Sequence, residues 1–447
     1  MPTDANETNS FEAKLIRKLQ WRLIPFLFFL YVISFIDRSN ISIAALTMNK
    51  DLAISSEQFG WVAGVFFFGY VLSGIPSNLM LHRFGARLWI TVILILWGTL
   101  ALMMGLVHSV QQLYVLRFVL GLAEGGYFPG VALYLTYWFR QREQAQCIAL
   151  FLTGLPASNM IGAPLSGWIL DHVHWMHWPS WRWLLVVEGA PAIIFGIVTY
   201  FILPSRPSEA GFLTSEEKDW VQAELERERR AKQEAKPIGT LQALTIFRVW
   251  HAGLIVFATN CGVYMLTFWM PQLIKFVSRG ISNTVVGLLV MIPHAAGLVA
   301  MVFISRSSDK RLERRFHAAI PALFAGAAMA VLGAPHSIAV TVALLGIAVA
   351  GMYSVYGPAY SLPSELLTGS AVAAGLGLTS SIANAAGFVG PYAAGWISQR
   401  TGSLYGGLAA GGISLFLSAL LALALPRKSE PKTRPNAARP LAASRRV

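Results

Sequence analysis

Charge is scarce in this chain. Asp, Glu, Lys and Arg together make up 13% of its 447 residues, about half the roughly 25% of an ordinary soluble domain. Hydrophobic residues reach 55% and the mean hydropathy is +0.55. That leaves too little polar surface to cover a water-soluble globule of this length, which excludes an ordinary soluble enzyme or binding domain. Cysteine is nearly absent. Cys147 and Cys261 cannot build a disulfide framework, and both read as inert thiols. Acid is the scarcer sign, 22 Asp and Glu against 35 Lys and Arg, leaving a net charge of +13. In a polar chain that excess suggests nucleic acid. Amid so much apolar sequence it argues for a lipid bilayer instead. Nucleophile elbows, phosphate loops and metal-ligand clusters are missing too, so the chain does not read as an enzyme. His172, His174 and His177 follow Asp171, but Trp175, Trp178 and Trp181 among them suit an interfacial aromatic belt better than a metal site.

Long apolar runs are what the chain has. A spanning helix needs roughly 20 apolar residues. Such runs fall at 22–46, 60–80, 89–107, 112–138, 145–169 and 183–203, then at 250–274, 284–304, 317–334, 337–360, 371–394 and 403–425. The expected fold is therefore an all-α polytopic membrane protein of twelve transmembrane helices in two six-helix halves. The run starting at Trp21 is too long for a signal peptide and lacks a small-residue cleavage pattern. The chain divides into an N-terminus (1–21), a first half (22–203), a hydrophilic linker (204–246), a second half (247–425) and a basic, Pro/Ala-rich tail (426–447) expected to be disordered. Within the linker, Thr214-Ser-Glu-Glu217 has capping-box spacing and opens a charged, solvated helix. With both termini cytoplasmic, only Lys50, Arg182, Lys275, Arg279 and Arg400 lie outside, and Arg38 and Arg117 lie within spans. All other basic residues fall inside, as the positive-inside rule requires. The expected location is the cell inner (plasma) membrane.

The halves echo one another. Asn159-Met-Ile-Gly162-Ala-Pro164 leads to Gly167-Trp168-Ile169 in the fifth run, and Asn384-Ala-Ala-Gly387-Phe-Val-Gly-Pro391 leads to Gly395-Trp396-Ile397 in the eleventh. Basic loops also correspond: His82-Arg83-Phe-Gly85-Ala-Arg87 after the second run, and Asp309-Lys-Arg311-Leu-Glu-Arg314-Arg315 after the eighth. Two matches at nearly one interval argue for duplication. Parallel six-span repeats place a substrate site near the midplane, between the halves.

The first loop resembles the signature of the major facilitator superfamily, with His82 where that family usually has Asp. Within it, Leu30-Tyr-Val-Ile-Ser-Phe-Ile-Asp-Arg-Ser-Asn40, Phe66-Phe-Phe-Gly-Tyr70, Leu116-Arg-Phe-Val-Leu-Gly-Leu-Ala-Glu-Gly-Gly-Tyr-Phe-Pro-Gly130 and Trp181-Arg-Trp-Leu-Leu resemble the anion:cation symporter family, especially its bacterial tartrate-transporter-like members. Such members carry tartrate, sugar acids, aromatic acids and other organic anions. The resemblance implies that Asp37 and Glu124 handle protons, that Arg38 and Arg117 bind substrate, and that Tyr70 and Asn384 occupy substrate positions. Tyr360 stands where relatives often carry Trp.

Read from the residues alone, four ionisable groups sit deep in spans: Asp37, Arg38, Arg117 and Glu124. Each costs about 2.5–3.5 kcal/mol at a helix centre, so such groups face a bundle interior or a wet cavity. Arg117 and Glu124 lie two turns apart on one face, about 10 Å along the axis. Asp37 and Arg38 point about 100° apart, so one can face a cavity while the other faces a neighbouring helix. The four either join the first and fourth spans structurally or form a neutral set in which each arginine is satisfied. In the second case an incoming carboxylate competes with Asp37 or Glu124 for a guanidinium, and protonating the acid frees it.

The second half contributes Asn260, Tyr264, His294, Tyr356, Tyr360 and Asn384, and the first half adds Tyr31, Tyr70 and Asn159. These either line the cavity or serve as interhelical hydrogen-bond glue, and His294 reads as a packing residue. Arg83, Arg87, Asp309 and Arg311 read as loop or gating residues, or as topology determinants. The leading expectation is proton-coupled uptake of a small organic anion by alternating access. The protein would act as a monomer and use no cofactor beyond the proton gradient. The alternatives are a proton-independent exchanger and a carboxylate-sensing transceptor.

Overall fold

The computed structural model describes residues 3–234, 245–278, 280–366 and 370–425. The predicted tail (426–447), linker residues 235–244 and Arg279 lie outside the described residues. The first half comprises α1 (Thr3–Asp51), α2 (Ser56–Phe84), α3 (Ala86–Met104), α4 (Val110–Glu124), α5 (Tyr127–Thr136), α6 (Gln141–Leu152), α7 (Gly154–His172) and α8 (Ser180–Ile202). The linker forms α9 (Ser215–Glu234). The second half comprises α10 (Phe247–Val277), α11 (Asn283–Arg311), α12 (Arg315–Val331), α13 (Ile338–Leu366), α14 (Ser370–Thr401) and α15 (Leu404–Leu423).

Each of the predicted apolar runs falls on helix. Among the described residues nine helices are long and apolar enough to cross a membrane. The three remaining runs differ for local reasons. The fifth is divided at Thr153 into α6 and α7, with Pro156 in the first turn of α7, where its missing N–H costs nothing. The ninth, α12, has only 17 residues. The eleventh, α14, is long but diluted by Gly, Ser and Asn. The fourth run also breaks, at Gly125-Gly126 directly after Glu124, and α4 and α5 continue end to end as one apolar rod. At the start, α1 is one helix of 49 residues that joins the predicted N-terminal segment to the first span.

The inside of each bundle is closed by large side chains, among them the fully buried Trp97, Trp181 and Trp269. The outside is apolar as well: Ile75 is 77%, Phe201 77% and Ile413 72% exposed. Such a surface is unfavourable in water and natural in lipid. The halves meet along α2 with α14 and α7 with α11. Both contacts lie away from the chain termini, at what is called here the far end. A side chain on Gly167 would strike the Asn283 carbonyl, and one on Gly395 would strike that of Ser56. The two glycines come from the duplicated Gly-Trp-Ile motifs, so the repeat is also a repeat of interface. The Asp171 carboxylate at the end of α7 closes this seam. It accepts from Asn283 N (3.1 Å), Asn283 Nδ2 (2.8 Å), Thr284 N (2.7 Å) and Thr284 Oγ1 (2.7 Å), and so caps α11 across the halves. Tyr392 donates to Glu57 at 3.3 Å in the same layer.

Near the termini, α9 lies against the first half. Lys18 pairs with Glu217 at 2.7 Å. Arg140 binds Glu143 at 2.7 Å, Glu12 at 2.5 Å and Glu224 at 3.4 Å, under the Trp220 ring. The capping box read at Thr214 is formed: Glu217 N donates to Thr214 Oγ1 at 3.2 Å and Thr214 N to Glu217 Oε2 at 2.9 Å.

Candidate functional site

A cavity lies between the halves at mid-depth. Its wall includes Phe35, Arg38, Ser39 and Asn159 from the first half, and Tyr264, Tyr353 and Tyr356 from the second. Helix α1 brings Arg38 there, since a turn of about 100° per residue separates it from Asp37. The Arg38 guanidinium forms an ion pair with Glu124 of α4, and Glu124 also accepts the Ser34 hydroxyl at 2.7 Å. Around the cation stand the rings of Phe35 (4.4 Å), Tyr70 (4.7 Å) and Phe66 (5.1 Å). Arg38 is 5% and Glu124 0% exposed. The pair is not saturated, because Arg38 Nε and Glu124 Oε2 have no hydrogen-bond partner. Breaking such a pair by removing one member leaves a buried charge at about 3–5 kcal/mol.

The opposite wall is hydroxyl- and amide-rich. Tyr264 donates to Asn384 Oδ1 at 3.5 Å, Tyr356 to Asn260 Oδ1 at 2.7 Å, and Asn260 Nδ2 to the Ala383 carbonyl at 3.1 Å. Both Tyr70 and Tyr264 reach Arg38, so the cation is bracketed from both halves. Tyr360 stands next to Tyr356, ring centres 6.1 Å apart. Asn159 and Asn384, equivalent in the repeat, each donate to the carbonyl four residues earlier, at 3.2 and 2.9 Å. His294 is held against the Tyr353 hydroxyl at 2.9 Å. Tyr31 stacks on Phe151 at 4.0 Å.

Two expectations about charge need correction. Arg117 is not matched to a carboxylate. Fully buried between α4 and α2, it donates Nε to Val62 O at 3.1 Å and Nη2 to Ala63 O at 3.5 Å, with Nη1 unpartnered and Phe66 beneath it at 4.9 Å. Nor does Asp37 meet a cation; it turns away from the cavity and accepts Trp97 Nε1–H at 2.7 Å. The expected neutral set of two satisfied arginines is thus one ion pair, one arginine on backbone carbonyls and one carboxyl on an indole. A fifth ionisable group, Glu188 of α8, was missed. It is 4% exposed, with the Ser166 hydroxyl at 2.7 Å. It is a carboxylate amid the sixth apolar run, the same signal that singled out Glu124 in the fourth.

The loop residues make local contacts. Arg87 donates Nε to Leu203 O at 3.0 Å and pairs with Glu209 at 3.2 Å, tying the start of α3 to the end of α8. Gly85 makes that turn at φ 84°, a backbone conformation that a side chain disfavours. Arg83 stacks over Phe84 at 5.5 Å, Asp309 pairs with Arg314 at 2.6 Å, and Arg311 is exposed. The histidines after Asp171 contact backbone carbonyls: His172 that of Trp168 at 2.9 Å and His174 that of Asp171 at 3.0 Å.

The arrangement can hold an anion at Arg38 and lacks a hydrolytic or redox centre among the described residues. The chain is 41% identical over 426 residues to the "Putative tartrate transporter" of Agrobacterium vitis, covering 95% of this chain and 94% of that one. It is 39% identical over 419 residues to the "Putative metabolite transport protein NicT" of Pseudomonas putida, covering 93% and 95%. The xylose transporter XylE from E. coli, in a partially occluded inward open conformation, has the same fold at a TM-score of 0.72, with 15% identity over 93% of this chain and all of that one. The sequence model of the Major Facilitator Superfamily matches residues 27–376 and 278–446, and the chain belongs to that superfamily of membrane transporters.

Proposed function

We propose that this transporter is a proton-coupled importer of a small organic anion, tartrate-like or another hydroxy, sugar or aromatic carboxylate. It works as a monomer by alternating access, with twelve spans in the inner membrane and both termini in the cytoplasm. One observation carries the reading: the unsaturated Arg38–Glu124 pair in the cavity wall. A substrate carboxylate competes with Glu124 for the same planar donor fork. Protonating Glu124 removes that competitor, and deprotonating it expels the anion. The tyrosine and asparagine wall opposite suits a substrate bearing hydroxyl groups, and the name of the Agrobacterium vitis relative supports a hydroxy acid. In this orientation the far end is periplasmic and closed.

Uptake into proteoliposomes under an imposed pH gradient, with a panel of tartrate, sugar acids and aromatic acids, tests the reading. Glu124→Gln is expected to abolish uphill accumulation and to retain counterflow exchange. Undiminished gradient-driven accumulation in that variant overturns it.

A further inference from the structure

The Arg38–Glu124 pair is one of two acid-bearing places in the first half. Behind α1, away from the cavity, Asp37 and Glu188 approach the amide of Asn40. Asp37 accepts from Asn40 Nδ2 at 3.4 Å and from Trp97 Nε1 at 2.7 Å. Glu188 takes the Ser166 hydroxyl on Oε1 at 2.7 Å and lies within reach of Asn40. Its Oε2 has no donor, and neither has Asn40 Oδ1. No ion pair is formed by either acid among the described residues, whereas Glu124 has Arg38.

Two orphaned acceptors and no paired cation describe a place that lacks a hydrogen. A proton on Glu188 supplies a donor at the carboxyl oxygen that has no partner. Exchanging the amide N and O only moves the deficit to the Asp37 side. Two neighbouring carboxylates in a water-poor interior do not both ionise. Among the described residues the elements packed against α8 add no other charge here: α1 presents Asp37, α3 presents Trp97 and α7 presents Ser166. Glu124 and Arg117 act on Asp37 from the side of α4.

We propose that Glu188 holds a proton and works as a pair with Asp37, forming a third acid in the coupling of this transporter. The proposal rests on the proton-coupled reading above. Asp37 and Arg38 are adjacent on α1, so any rotation that re-aims Arg38 in the cavity also moves Asp37 against Glu188. Proton occupancy behind α1 and anion occupancy in front of it are thereby linked through one helix.

Glu188→Gln tests this, since glutamine keeps an acceptor for Ser166 and cannot release a proton. Infrared spectra of the purified, substrate-free protein at neutral pH are expected to show a protonated-carboxyl band that E188Q loses. Ser166→Ala, which keeps the acid, retains that band. In proteoliposomes, E188Q should retain counterflow. The pH midpoint of gradient-driven uptake should move by about one unit, because the proton that Glu188 exchanges with Asp37 is no longer there to be released. An unchanged band, or a lost band with an unshifted midpoint, overturns the proposal. Wild-type uptake that ignores the pH gradient defeats the coupled reading instead, while the band still decides whether Glu188 carries the proton.

Discussion

Arg38 has a shape requirement as well as a charge requirement. Its guanidinium is stacked among Phe35, Phe66 and Tyr70 and still offers Nε for a further bond. A lysine ammonium cannot stack in that slot or present a fork. Arg38→Lys is therefore expected to lose one charge-assisted bond to the anion, about 1.5–3 kcal/mol, raising KM roughly ten- to hundredfold. Saturation curves of substrate uptake measure it, and an unaltered KM removes Arg38 from the binding site. The sequence made the division between Asp37 and Arg38 legible, because adjacent helical residues diverge. It misplaced Arg117, since spacing along α4 fixes only the face it shares with Glu124. The carbonyls of Val62 and Ala63 that receive it belong to another helix, and no pattern within α4 reports them.

Helix α9 is the element on which charge and docking are coupled. Its Thr214–Glu217 capping box was readable from spacing alone, and the structure adds that the same Glu217 pairs with Lys18 of α1. Partial burial pushes the Glu217 carboxyl up, but the Lys18 ammonium and the Thr214 donors outweigh it and hold it below its ordinary value. A carboxyl lowered in the docked state contributes stability that is complete above its undocked value, about 4.3 for Glu. That contribution is lost as pH falls through the lower docked value. Hydrogen-exchange protection in α9, relative to the intrinsic rate at each pH, is expected to be flat from neutral pH down to the ordinary glutamate range and to fall below it. Lys18→Ala should raise exchange already at neutral pH; equal protection in both proteins separates α9 from this ion pair. The broken helices follow similar local logic. Gly125-Gly126 and Thr153 before Pro156 interrupt runs that hydropathy reads as continuous, because a window average does not register backbone preference.

At the scale of the whole molecule the duplication becomes a pair of equivalent seams, α7 on α11 and α14 on α2. Asp171 locks one of them through four donors at the start of α11. Asp171→Asn removes the charge that this helix N-terminus favours and turns one acceptor into a donor. The variant is expected to shift the conformational balance by about 2 kcal/mol, roughly thirtyfold, toward opening at the far end. Spin-label distances between the far ends of α7 and α11 would lengthen; an unchanged distribution dismisses the lock.

Composition and the spacing of apolar runs by themselves determined a helical membrane protein in two related halves. Bilayer thickness and the cost of bare backbone in lipid leave a chain this apolar few other solutions. Buried charge pointed to the first and fourth spans for the same energetic reason. Tertiary structure alone decided which charges meet. It paired Arg38 with Glu124, sent Arg117 to backbone carbonyls, and turned Asp37 to the Trp97 indole. Partners across helices depend on the rotation and depth of each rod. Those are set by packing of small residues such as Gly167 and Gly395 over long sequence separations, which local periodicity does not encode.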